Sequence, residues 1–250
     1  MPSENVILDM PDGKCGVYVS RPSGAGPWPA VIVYVDGMGV RPAMREIADR
    51  IAGQGYFVLL PDVFYRTPGK IPSAAAFFSD AAVRAEWQKT IVPTVTPAKV
   101  MADTTALLNY VDSQPAARKG PVGFTGYCMG GRLSVYAAGH FEDRVAAAAS
   151  FHPGGLATDA SESPHRLASK ITAQVYVGGA MEDKSFDDAQ QARLREAFDD
   201  AGVHYDLEIY PARHGWVPTD TPVHDPVQAE RHFAKVFELF RTRLGAAAAG

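Results

Sequence analysis

Residues 123–132, GFTGYCMGGR, set one of the chain's two cysteines inside a Gly-x-Cys-x-Gly-Gly turn. Pro121 to Thr125, just before it, reads as a short buried strand. The residues after it, from Gly131 through Leu133, Val135, Tyr136 and Ala137 to Gly139, read as a helix. Gly126 and Gly130 flank Cys128 two positions away on either side, and their missing side chains allow a tight strand-to-helix corner. Such a corner presents its central side chain at the carboxyl end of a strand, which is where open parallel sheets bind ligands.

Outward from this corner, apolar runs bounded by Gly, Pro or Asp recur at Cys15–Ser20, Ala30–Val35, Tyr56–Leu60, Val122–Thr125, Ala146–Phe151, Ala173–Val177 and Leu207–Tyr210. Helical spacing fills most of the gaps, over Ala43–Ala52, Lys99–Val111, Asp187–Ala201 and Pro226–Leu244. Strands alternating with helices predict an α/β fold, a mostly parallel central sheet with helices on both faces. The first strands, ahead of Gly24-Ala25-Gly26-Pro27, are close enough to pair antiparallel at one edge. No repeat, linker or compositional break divides the chain, so 1–250 reads as a single domain. Residues 66–97 depart from the pattern: Pro68, Pro72, Pro93 and Pro97 surround SAAAFFSDAAVRAEW, which predicts a helix in an insert. That helix either shapes a pocket or packs on the surface. The Ala-rich end, Gly245 to Gly250, reads as frayed.

Hydrophobic residues make up 46% of the 250, enough for a substantial core. A net charge of −4 without a basic run argues against nucleic-acid or anionic-membrane partners. No apolar stretch approaches the ~20 residues of a membrane span. Met1-Pro2-Ser3-Glu4-Asn5 lacks the layout of a signal peptide, so a soluble, cytoplasmic protein is expected. Two cysteines are too few for a metal site, and a disulfide is not expected in that compartment. The expectation is of neither metal nor cofactor. Cys15, in the strand-like GKCGVYVS, reads as a structural thiol.

Cys128 reads as a nucleophile. An ordinary thiol, pKa ~8.5, is only a few percent thiolate at neutral pH, and a helix start favours the negative form. The backbone N–H of Met129 would point to the same place as an anion donor. A nucleophile needs a base and an acid to orient it, expected here in the chain order nucleophile, acid, histidine. Among seven histidines, His214 in DLEIYPARHGWVP lies just past a strand and ahead of the last helix. His152, in SFHPGG, also follows a strand and is the second candidate. For the acid, VYVGGAMED offers Glu182 and Asp183 after another strand, and Asp183 begins the loop before the next helix.

VIVYVDGMG, GYFVLLPDVFYR, GFTGYCMGGR, VYVGGAMED and ARHGW together resemble the dienelactone hydrolase family of α/β-hydrolases. The resemblance spans about Pro29 to Trp216. It implies that Cys128 attacks an ester or lactone carbonyl, that His214 is base and acid, and that Asp183 orients it. It further implies an oxyanion hole from the N–H groups of Met129 and Gly37, and places Asp36 where the family carries an acid against the resting thiol. The family's arginine after the catalytic histidine is missing from HGWVPTD. Arg84, with Trp87, is the replacement cation the insert offers, while Trp216, Tyr127 and Phe64 would suit a more apolar ester. The reading is a cysteine-dependent hydrolase acting on a small-molecule ester or lactone through a thioester. Its rivals are a thiol redox or peroxide-sensing protein, which the lack of a Cys-x-x-Cys pair disfavours, and a silent binding module. Nothing suggests the subsites of a peptidase.

Overall fold

Residues 1–69 and 71–245 are described by the computed structural model. Eight strands form one sheet: β1 (Ser3–Met10), β2 (Gly13–Ser20), β3 (Ala30–Tyr34), β4 (Phe57–Pro61), β5 (Val122–Tyr127), β6 (Val145–Phe151), β7 (Gln174–Ala180) and β8 (Tyr205–Tyr210). Their order is β1-β2-β4-β3-β5-β6-β7-β8, antiparallel from β1 to β4 and parallel from β4 to β8. Every residue of β3, β4 and β5 is buried, as strands covered on both faces require. The antiparallel edge expected at the N-terminus is β1 against β2. β1 itself is not among the apolar runs because Glu4, Asn5 and Asp9 interrupt it, yet Ser3 to Met10 pair in unbroken register with β2.

Among the described residues seven α-helices accompany the strands: α1 (Pro42–Ala52), α2 (Ala74–Ser79), α3 (Ala81–Thr90), α4 (Pro97–Ser113), α5 (Met129–His140), α6 (Asp188–Ala201) and α7 (Pro226–Leu244). A side chain at Gly123 would run into Leu244 and Phe240 of α7, whereas one at Gly126 would run into α5. The two helices therefore cover opposite faces of β5. α7 buries His232, Phe233, Val236, Leu239, Phe240 and Leu244 on one stripe. Each fully buried aliphatic or aromatic side chain contributes about 1.5–3 kcal/mol of gross transfer energy. Most of the driving force thus lies in the central strands and the helix stripes above and below them.

The insert holds two helices where one is predicted. Asp80 adopts an extended conformation between them, and its carboxylate accepts from the N–H groups of Ala82 and Val83. An N-cap inside a helical run starts a new helix there. α3 contributes no buried residue and α2 only Ala74. The insert is anchored beyond them by Ile91 and Val95. The Ala-rich end lies, apart from Gly245, outside the described residues.

Candidate active site

Cys128 follows β5 with φ 55° and ψ −115°, a conformation that costs a non-glycine residue about 1–3 kcal/mol. The surroundings enforce it. Its N–H donates to the Phe151 carbonyl at 3.0 Å. A Cβ at Gly126 would lie 2.0 Å from the Gly130 oxygen, and one at Gly130 would lie 2.4 Å from the carbonyl oxygens of Tyr34 and Val35. The start of α5 thus packs directly against the end of β3. Ser134 and Ser150 both donate to the Gly131 carbonyl, at 2.9 and 2.8 Å, and hold the first turn. His152 (φ 35°) and Glu182 (φ 56°) share the positive φ of Cys128, and no other non-glycine among the described residues does. The three sit just past the carboxyl ends of β5, β6 and β7. Strained backbone of this kind clusters at functional sites.

His214, past β8, brings its Nδ1 to 2.6 Å from Asp183 Oδ2. The half-buried Cys128 is near enough to this ring to act on its charge. Burial opposes charge on this imidazole, but Cys128 and Asp183 more than offset it and hold its pKa up at about 10. Burial likewise pushes Asp183 up, and His214 together with Ser185 outweighs it, leaving the carboxyl below the ordinary range. Ser185 was not anticipated. Its hydroxyl donates to Asp183 Oδ1 at 2.5 Å and lies 3.2 Å from His214 Nδ1, and its N–H donates to the same Oδ1 at 2.9 Å. The Asp-x-Ser spacing of an Asx turn is the signal that could have found it.

The N–H groups of Met129 and Gly37 have no acceptor among the described residues. Trp87 of α3 lies across Gly37, its ring 3.0 Å from where a Cβ would be, and Phe78 of α2 lies 3.5 Å from that point at Gly215. The insert therefore lies over both the Gly37 loop and the His214 loop.

Several expectations need correction. Asp36 does not bond to the thiol: Arg41 occupies both its oxygens at 2.7 and 2.8 Å, and the Met38 N–H adds a bond at 2.9 Å. Arg84 donates through Nη1 to the carbonyls of Phe77 and Phe78 and so ties α2 to α3. Tyr127 is a core residue whose hydroxyl bonds His232 Nε2 at 2.9 Å. Phe64 is sealed against Trp87, and Trp216 is sealed beneath the site against Tyr210 and His152. His152 is buried, its ring 5.2 Å from that of His214, and neither ring nitrogen has a partner among the described residues. Burial, with His214 and His232 nearby, keeps it neutral. It packs between His214 and Trp216. Among the described residues no group of three or more His, Cys, Asp or Glu could hold a metal ion, and no helix is long and apolar enough to cross a membrane.

The chain matches the dienelactone hydrolase family over residues 15–244. A candidate carboxymethylenebutenolidase of Synechocystis sp. is 27% identical over 231 residues, 91% of each chain. Another, from Methylorubrum extorquens, is 28% identical over 246 residues, covering 94% of this chain and 79% of its own. The crystal structure of a candidate dienelactone hydrolase from Klebsiella pneumoniae superposes with a TM-score of 0.83 at 22% identity, over 96% of this chain and 98% of that one. A dienelactone hydrolase-like promiscuous phosphotriesterase, P91, from metagenomic libraries gives 0.76 at 20% identity, over 97% and 99%. Those two likenesses establish the shared α/β-hydrolase fold. The family match over nearly the whole length establishes more: the chain belongs to the dienelactone hydrolase family and is a hydrolase of esters or lactones.

Proposed function

We propose that the protein hydrolyses small carboxylic esters or lactones through Cys128, His214 and Asp183, by way of a thioester on Cys128. The observation that carries this reading is one imidazole held by Asp183 at Nδ1, raised in pKa by a nearby, strained cysteine at the carboxyl rim of the sheet. Cys128 Sγ attacks the carbonyl carbon, and the oxyanion that forms accepts from the N–H groups of Met129 and Gly37. The carbon–oxygen bond to the alcohol then breaks, and the proton on His214 Nε2 goes to the departing oxygen. In the thioester the sulfur carries no charge, so the contribution of Cys128 to the high pKa of His214 disappears. The ring can then accept a proton from water, whose oxygen attacks the thioester carbon. The carbon–sulfur bond breaks, releasing the acid and regenerating the thiolate.

The insert clusters aromatic side chains, Trp87, Phe77 and Phe78, and Nη1 of its Arg84 is bonded to backbone carbonyls. That favours an uncharged acyl or alcohol group. The relatives' names support trying lactones beside simple esters. The test is hydrolysis of p-nitrophenyl acetate by wild type and Cys128→Ala, with intact-mass detection of an acetylated protein. Hydrolysis lost in the variant, together with one acetyl group trapped on the wild type, is expected. Equal rates in both proteins would overturn the mechanism.

A further inference from the structure

Gly37 and His214 must address one carbonyl, yet one follows β3 in the middle of the sheet and the other follows β8 at its edge. A single side chain spans the two loops. Arg41, at the start of α1, donates from Nη1 and Nη2 to the two oxygens of Asp36 at 2.7 and 2.8 Å. From Nε and Nη2 it donates to the two oxygens of Asp220, 179 residues away in sequence, at 2.6 and 3.1 Å. On the β3 side, Nη1 also reaches the Gly39 carbonyl at 3.2 Å, and the Met38 N–H donates to Asp36. Gly37 is thus enclosed in a loop whose two ends are bonded to one guanidinium. On the other side, Thr221 beside Asp220 donates to the Gly215 carbonyl at 2.8 Å, one residue from His214.

The side chains of Arg41 and Asp36 are 12% and 4% exposed. A pair buried this far gains little stability over apolar residues of the same volume. It does impose one arrangement, because a planar fork satisfies two carboxylates in few geometries. Arg41 makes no bond to Cys128, His214 or Asp183 among the described residues.

We infer that Arg41, clamped between Asp36 and Asp220, is a positioning residue that sets the oxyanion loop against the His214 loop. The inference rests on the roles proposed above for Gly37 and His214. It also assigns Asp36 a different task from guarding the thiol: both its oxygens are committed to the clamp.

Asp220→Asn is the variant that tests it, since Asp220 is the exposed member and the buried Asp36–Arg41 pair stays intact. Amide hydrogen exchange on the full chain needs no substrate and is read first. Exchange should quicken by roughly fivefold or more in segments 36–41 and 214–221 together, with β5 and α7 unchanged. Unaltered exchange in 36–41 would overturn the clamp. For p-nitrophenyl acetate, kcat should fall roughly tenfold or more with KM within about twofold. Alkylation of Cys128 by iodoacetamide, which uses no oxyanion donor, should keep its wild-type rate, and Asp220→Glu should recover part of kcat. Parallel loss of alkylation and hydrolysis would mean general disruption and would also overturn the inference. Should wild type cleave no ester, the proposed reaction fails while exchange still decides the clamp.

Discussion

A Cβ at residue 130 would sit 2.4 Å from two carbonyl oxygens at the end of β3, and backbone cannot step aside as a flexible side chain can. Gly130→Ala should therefore cost roughly 3 kcal/mol or more in urea unfolding, along with the esterase activity. A loss under about 1 kcal/mol would show that the corner relaxes. This corner is legible in the sequence because Cys128 and its glycines are neighbours in the chain. The environment of Asp36 is not, because its partner's other contact, Asp220, is distant in sequence. The His214–Asp183 pair makes a further prediction, with opposite signs for its members. His214, held at about 10 against an ordinary 6.5, adds stability that is complete below about pH 6.5 and is lost as pH rises through 10. Asp183, held low, adds stability present above the ordinary carboxylate value and lost as pH falls through its own. In NMR titrations, Asp183→Asn should bring the His214 midpoint down towards the ordinary histidine value. An unchanged midpoint would mean that Cys128 alone sustains the charge.

Among the elements, the paired helices of the insert were the hardest to read. SAAAFFSDAAVRAEW has helical composition throughout, and only the tertiary placement of Asp80 turns one predicted helix into two. The pocket residues fared likewise. Tyr127 and Trp216 are aromatic and close in sequence to Cys128 and His214, and Phe64 follows the buried β4, but all three are turned inward. Strand and helix positions elsewhere were legible because periodicity is local, whereas the partners of Arg84 and Tyr127 depend on packing. Removing the cap with Asp80→Ala should cost about 1 kcal/mol of local stability. Faster hydrogen exchange confined to 74–90, with the global melting temperature unmoved, is the expected signature. A cooperative drop in melting temperature would instead make α3 part of the core.

For the molecule as a whole, acid sensitivity should follow from His232. Burial pushes its pKa down to about 3, far below the unfolded value of 6.5, so the unfolded chain binds its proton first. Stability should fall as pH drops from about 6.5 towards 3, by several kcal/mol on the order expected from linkage. The neutral, buried His152 works in the same direction. Melting temperature measured from pH 8 to pH 4 should show this slope, and His232→Phe should flatten it while losing the bond to Tyr127 at neutral pH. A flat profile in wild type would show that the ring is hydrated on demand. The parallel sheet itself was legible from the alternation of its elements, and its antiparallel edge from proximity. One last consequence follows from α2 and α3, whose only buried residue is Ala74 and which lay Trp87 and Phe78 over the Gly37 and His214 loops. Phe78→Ala is therefore expected to change the relative rates on esters of different size while leaving the melting temperature within a few degrees, because α2 places that ring against Gly215 and gives the core only Ala74. A melting temperature that falls with the activity would show that the insert also supports the fold.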